Sequence, residues 1–265
     1  MVRFLRQRNR IIGALGTPVV FWLLLGSGLN RTFAVEMAQI GGEVGEVVGS
    51  TVSNATGLGY LEYFFPGTVV MILLFTAIFS TFSVIEDRRE GFLQGVLVSP
   101  APRLAIVLGK VLGGASLATG QAALFILLWP LIGPMPSLTS LLLLLPVMFL
   151  LSMGLTALGL CLAWPMESTA GFHAIMNLLL LPMWFLSGAV FPVQTAAPWL
   201  SVVMYANPLT YGHTVLAWLM LGERGSATWA IGGTQGPMWA ALIALIGVVV
   251  INAAAVRIVA KPGKA

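Results

Sequence analysis

The chain has 265 residues, of which 58% are hydrophobic and only 8% charged, and its mean hydropathy is +0.96. A water-soluble globule of this composition would expose far more apolar surface than water tolerates, so that class is excluded and the chain belongs in a bilayer. Its 13 Lys and Arg outnumber its 9 Asp and Glu, giving a net charge of +4 whose meaning depends on where the charges fall.

At the start, Arg3, Arg6, Arg8 and Arg10 precede an apolar run. The spacing predicts a segment lying along the inner membrane surface, its guanidiniums near lipid phosphates. The run itself, Ile11–Leu29, is longer than a signal-peptide core and no small-x-small cleavage site follows closely, so it reads as a retained first span. From Asn30 to Tyr63 the chain forms an outer loop. Gly41, Gly45 and Gly49 suit either close helix packing or a weakly amphipathic surface segment, and two Asn-x-Ser/Thr triplets begin at Asn30 and Asn54.

Phe64–Ile85 reads as the second span and ends at an unbroken charged row, Glu86 to Glu90. The third, fourth, fifth and sixth spans are predicted at Leu104–Ile132, Leu138–Ala163, Ala170–Phe191 and Met238–Val256. No Asp, Glu, Lys or Arg occurs between Lys110 and Glu167, between Glu167 and Glu223, or between Arg224 and Arg257. A crossing helix needs only about 20 apolar residues, so the first two gaps hold two crossings each and the third holds one. These runs are continuously apolar instead of alternating, which argues against a strand barrel. The predicted fold is an all-α polytopic membrane protein with six transmembrane helices, forming a single domain over 1–265.

Basic residues near span ends stay on the cytoplasmic side. With six spans, Arg3, Arg6, Arg8, Arg10, Arg88, Arg89, Arg103, Lys110, Arg257, Lys261 and Lys264 lie inside and Arg31 and Arg224 outside, a ratio of 11 to 2. Making Pro198–Leu221 a seventh crossing lowers the ratio to 9 to 4, so six is preferred. The basic balance thus reports topology, with membrane lipids as partners and no nucleic acid.

No catalytic site is predicted. The only Gly-Lys pair, Gly109-Lys110, lacks the remainder of a phosphate loop, and no G-x-S-x-G elbow occurs. His173 and His213 have no carboxylate or thiol at ligand spacing, so no metal site is expected, and the single Cys161 reads as a small buried hydrophobe.

Two stretches remain. The inner loop from Glu86 to Arg103 is predicted to form a short helix, Glu86–Leu97, stopped by Ser99-Pro100-Ala101-Pro102. It puts Phe92 and Val96 on an apolar side and turns Asp87, Arg88 and Glu90 away; residue by residue this suits a membrane-flanking charge cluster or a docking element equally. Between Phe191 and Glu223 no charge occurs, yet Pro192, Pro198 and Pro208 interrupt the helix. Such broken apolar backbone predicts a re-entrant outer segment, 192–223, between spans five and six. Trp199, Tyr205 and Tyr211 suit that boundary, although a plain aromatic belt would use them too.

"EDRREGFLQGVLVSPAPRLAIVLGKVLGG" resembles the inner-loop signature of the ABC type-two exporter permeases, and "LPMWFLSGAVFPVQTAAPWLSVVMYANPLTYG" is similar to that family's fifth-span and outer-loop pattern. The small permeases of drug-resistance and nodulation-factor exporters are the nearest in size and span number. One departure is visible: the Arg that the family often places soon after Asn-Pro-Leu-Thr-Tyr is missing before Arg224. The resemblance implies a subunit without its own catalytic site or cofactor, driven by a separate ATPase that holds ATP and Mg, in a dimer with a second copy or a close paralogue. It assigns ATPase coupling to Glu86, Asp87, Arg88, Arg89, Glu90, Gly91, Phe92 and Arg103. The pathway between the paired second and fifth spans is expected at Phe75, Phe79, Met176 and Leu180, with an outer gate at Trp199, Tyr205, Asn207 and Tyr211. The expected cargo is amphipathic or hydrophobic, moved outward across a bacterial cytoplasmic membrane with both termini inside. A lipid-linked polysaccharide cargo, or a non-transporting channel or assembly protein, is the alternative.

Overall fold

The computed structural model describes residues 18–20, 22–24, 60–92, 95, 102–222 and 235–260. All regular structure among them is helical. The α-helices are α1 Tyr60–Ser80, α2 Phe82–Arg89, α3 Arg103–Ile126, α4 Leu138–Ala163, α5 Thr169–Trp184, α6 Pro198–Ala206, α7 Pro208–Leu221 and α8 Gly236–Ala260. Five runs among the described residues are long and apolar enough to cross a membrane: Leu61–Arg89, Arg103–Leu131, Leu138–Ala163, Thr169–Ala189 and Gly236–Val259. These correspond to the predicted second to sixth spans. Of the predicted first span only 18–20 and 22–24 are described; they are helical, and Trp22 packs edge-on against Phe65 and Phe125 with ring centroids 5.7 and 5.9 Å apart. The outer loop with its glycine spacing and Asn triplets lies outside the described residues, apart from its last few.

The bundle is organised around α1. Of the most apolar window of Leu61–Arg89, 72% is buried, against 17% for Gly236–Val259, so α1 is the centre and α8 a lipid-facing wall. A helix apolar on every side is what such a central position requires. Close packing is achieved with small residues, since apolar side chains gain little from leaving lipid and must gain from contact instead. A Cβ on Gly159 of α4 would come within 3.0 Å of Ile78 Cα on α1, and one on Gly154 within 2.8 Å of Val248 Cγ2 on α8.

Helix ends follow local chemistry. Ser137 and Ser168 cap α4 and α5, accepting from Ser140 N at 3.1 Å and Gly171 N at 3.3 Å. Pro198 and Pro208 occupy the first positions of α6 and α7, where the missing N–H costs nothing. The inner loop differs from expectation. The row Glu86–Arg89 does not begin a new helix but completes the one that carries the second span, because α2 follows α1 after the single residue Thr81. Thr81 Oγ1 donates to Ile78 O at 2.6 Å and Ser83 Oγ to Ser80 O at 3.1 Å, filling the break with hydroxyls. The chain then turns at Gly91, whose φ of 75° favours glycine. Phe92 and Gly95 are again helical, and the rest of the predicted Glu86–Leu97 helix, residues 93, 94, 96 and 97, lies outside the described residues.

Candidate functional site

Nearly all described charge gathers at one end of the bundle, where most of it is bound by carbonyls or by opposite charge. Asp87 receives Lys110 Nζ at 2.5 Å, and Lys110 also donates to Ser83 Oγ at 3.1 Å, joining α2 to α3. Pro165 follows the end of α4, where Trp164 N donates to Leu160 O at 2.9 Å and Met166 N to Ala163 O at 3.1 Å. Arg88 takes carbonyls just past the helix: its two terminal nitrogens donate to Trp164 O at 2.6 Å and Met166 O at 3.3 Å, and its guanidinium lies 5.4 Å from the Trp164 ring centre. Arg89 Nε donates to Glu167 O at 3.2 Å. Arg103 opens α3, where a positive charge opposes the helix dipole, and reaches across to Val259 O at 3.0 Å at the end of α8, where the dipole favours it. Beyond these contacts Glu90, Gly91 and Phe92 are exposed, and Phe92 is 63% exposed. Glu86 is half-buried.

The opposite feature of the bundle is a break in α5. After Trp184 the chain makes a π-helical turn, Phe185–Ala189, in which Gly188 has a φ of 86°. A break at membrane depth frees carbonyls that hydrocarbon cannot satisfy. Here side chains satisfy them: Asn207 Nδ2 donates to Met183 O at 2.6 Å, Thr210 Oγ1 lies 3.2 Å from Leu186 O and 2.7 Å from Met204 O, and Tyr63 OH donates to Gly188 O at 2.7 Å. Asn207 also caps α7, its Oδ1 accepting from Leu209 N at 3.0 Å. Trp184 Nε1 donates to Gly67 O at 2.8 Å, and a Cβ on Gly67 would lie 2.7 Å from Ala189 Cβ, so α1 and the turn touch backbone to backbone. His213 is buried against Gly188, and neither ring nitrogen has a partner among the described residues. Tyr211 OH donates to Tyr205 O at 2.7 Å, while Trp199 and Tyr205 are exposed.

The predicted pathway residues divide into two groups. Phe75 and Phe79 are part-exposed, 5.8 Å apart, and Phe79 meets His173 at 5.4 Å. Met176 and Leu180 lie with Phe172 and Trp184 in the buried stripe that seats α5 on its own chain, and the outward face of α5 carries Ile175, Leu178 and Leu179. Sequence reasoning missed Lys110, Tyr63 and Thr210. Lys110 is the last charge before a 56-residue charge-free interval, which was the available signal. Tyr63 and Thr210 act on carbonyls 125 and 24 residues away, and nothing local marks such partners. No group of three or more His, Cys, Asp or Glu that could hold a metal occurs among the described residues.

A bundle of apolar helices with a carbonyl-clasped polar end and a hydrogen-bonded break towards the other defines a multi-pass membrane protein. The chain belongs to the ABC-2 type transporter family, whose model matches residues 1–221. It is 30% identical over 154 residues to the transport permease ycf38 of Cyanophora paradoxa, covering 57% of this chain and 53% of that protein. It is 27% identical over 226 residues to Nodulation protein J of Rhizobium leguminosarum bv. trifolii, covering 78% and 76%. To the multidrug ABC transporter permease YbhR of Escherichia coli (strain K12) it is 26% identical over 155 residues, covering 58% and 42%. The match to the ycf38 permease thus spans about half of that protein's length. Membership makes this chain a transmembrane permease subunit of an ABC transporter, in a family that works with an ATP-binding subunit.

Proposed function

We propose that the chain is the permease of an exporter that moves an amphipathic or hydrophobic compound outward across a bacterial cytoplasmic membrane. A separate ATPase docks on the inner loop, and a second copy or close paralogue completes the pathway. The observation that carries this reading is the inner loop: Arg88, Arg89 and Asp87 are held by the chain itself, while an exposed Phe92 stands just beyond them. An aromatic ring held out from a fixed base is the kind of anchor that a partner's pocket takes. The basic end then faces the cytoplasm, with both termini inside.

Segment 192–223 is read as re-entrant. Helix α7 has 14 residues and a length of about 21 Å, short of the ~30 Å hydrocarbon core. Its Gly212 abuts Leu151 near the middle of α4, which supports a helix that starts within the membrane at Asn207. Across the dimer, Phe75 and Phe79 would stand at the pathway, with Met176 and Leu180 supporting it from behind. Such a wall suits an amphipathic cargo, in keeping with the word multidrug in the name of one relative.

Affinity purification of the tagged chain from its native membrane tests the proposal. An ATP-hydrolysing subunit in stoichiometric amount is expected, with charge reversal at both Glu86 and Glu90 abolishing its retention or its coupling to transport. A complete, stable assembly without such a subunit would return the loop to a membrane-flanking role.

A further inference from the structure

The two ends of the inner loop share an arrangement that docking does not require. Where α2 ends, Arg88 and Arg89 hold the carbonyls of Trp164, Met166 and Glu167; where α3 begins, Arg103 holds the carbonyl of Val259. Each end of the loop is therefore fastened to the C-terminal end of another helix, α4 in one case and α8 in the other. The first attachment is the denser. Three of the four residues 164–167 give their carbonyls to two adjacent arginines, and this stretch is most of the corner between Ala163, the last residue of α4, and Thr169, the first of α5. A guanidinium suits the task because its donors are fixed in one plane, so two carbonyls are held at a set angle and the ring of Trp164 is covered at the same time. Charged donors to carbonyls form roughly the stronger class of hydrogen bond, and removal of the guanidinium would leave these carbonyls unpaired.

We propose that Arg88 is a transmission residue: it carries the displacement of the inner loop to the corner between α4 and α5, and so to α5. This rests on the reading that an ATPase docks on the loop. It assigns the parts differently from an all-docking loop, with the region around Phe92 receiving the partner and Arg88 passing its motion inward. Once the end of α2 moves, the corner has to follow, since the guanidinium donates directly to two of its carbonyls. Helix α5 begins two residues after Glu167, and its side chains Phe172, Met176, Leu180 and Trp184 seat it on the bundle up to the π-helical turn.

The test uses the assembled complex of the chain with its ATPase subunit in lipid nanodiscs, in a Cys161→Ala background. An environment-sensitive fluorophore is attached either at Gly95→Cys, exposed on the loop, or at Ala170→Cys, exposed at the start of α5. With Arg88 present, both reporters should respond to ATP and vanadate. In Arg88→Gln the ATPase should still co-purify and hydrolyse ATP and the Gly95 reporter should still respond, but the response at Ala170 should be lost. Arg88→Lys, which keeps the charge and reaches one carbonyl, should restore part of it; this variant decides the matter where Arg88→Gln does not assemble. An undiminished Ala170 response in either variant overturns the proposal, as does loss at both positions in an assembled, hydrolysing complex, which would make Arg88 a docking residue. Absence of any co-purifying ATPase with the unaltered chain would instead remove the reading on which the proposal stands.

Discussion

Asn207 joins the start of α7 to the broken end of α5, and its replacement by Ala removes two contacts at once. The cap on Leu209 N is worth about 1 kcal/mol. Loss of the donor to Met183 O leaves that carbonyl without it in a part-buried place, at a cost of about 1–3 kcal/mol. Together the closed arrangement of the turn loses about 2–4 kcal/mol, and at about 1.4 kcal/mol per factor of ten its population relative to opened forms falls on the order of 30- to 700-fold. Asn207→Ser keeps an acceptor for Leu209 N and gives up only the reach to Met183, so it should lose the carbonyl part alone. The measurement has two arms: the unfolding midpoint of the purified chain, followed by tryptophan fluorescence, and ATP hydrolysis against export in the assembled complex. The midpoints should rank wild type above Asn207→Ser above Asn207→Ala, and in Asn207→Ala export should fall while hydrolysis persists. Equal midpoints for the wild type and Asn207→Ala, with normal export at equal protein level, would refute the role given to this hydrogen-bonded break.

Gly67→Val should prevent α1 from meeting the π-helical turn, because even the first carbon of the new side chain lies 2.9 Å from Ala189 O and cannot be relieved by a rotamer change; a loss of folded, monodisperse protein in detergent is expected, with Gly109→Ala, at an open position, as the unaffected control. Thr76 Oγ1 donates to Gln121 Oε1 at 2.6 Å inside the bundle, and Gln121 Nε2 has no partner among the described residues. Thr76→Val alone should destabilise by about 1–3 kcal/mol, whereas Thr76→Val with Gln121→Leu should recover most of that loss; thermal unfolding of the two variants separates a stabilising pair from a merely tolerated one. In the topology arm, a thiol at Ser226→Cys in a Cys161→Ala background should react with an impermeant reagent added outside intact cells, and one at Lys261→Cys should not; reaction at Lys261→Cys would reject the six-span arrangement.

The sequence by itself determined the class and most of the crossings. Burial in lipid demands long runs with almost no charge, so the gaps after Lys110, Glu167 and Arg224 located the helices, and α4 begins and ends where predicted, at Leu138 and Ala163. It also marked Pro198 and Pro208 as places where regular helix is interrupted, since proline restricts the backbone whatever surrounds it, but it carried the inner-loop helix through Gly91, where the chain turns instead. What the charged row is attached to could not be read in the same way. Glu86 to Glu90 look alike as a string of charges, and only the tertiary structure decided that Asp87 faces Lys110 and that Arg88 and Arg89 meet the end of α4, because these partners arrive from 23 to 78 residues away. The same holds for Met176 and Leu180. The resemblance made them pathway residues, but an apolar side chain suits a pathway wall and a packing face equally, and the crowded centre around α1 is what turned them inward. Local rules act through the backbone of a few neighbours and are written in order along the chain, whereas the partner of a buried donor is chosen by whichever helix end the fold brings within about 3 Å of it.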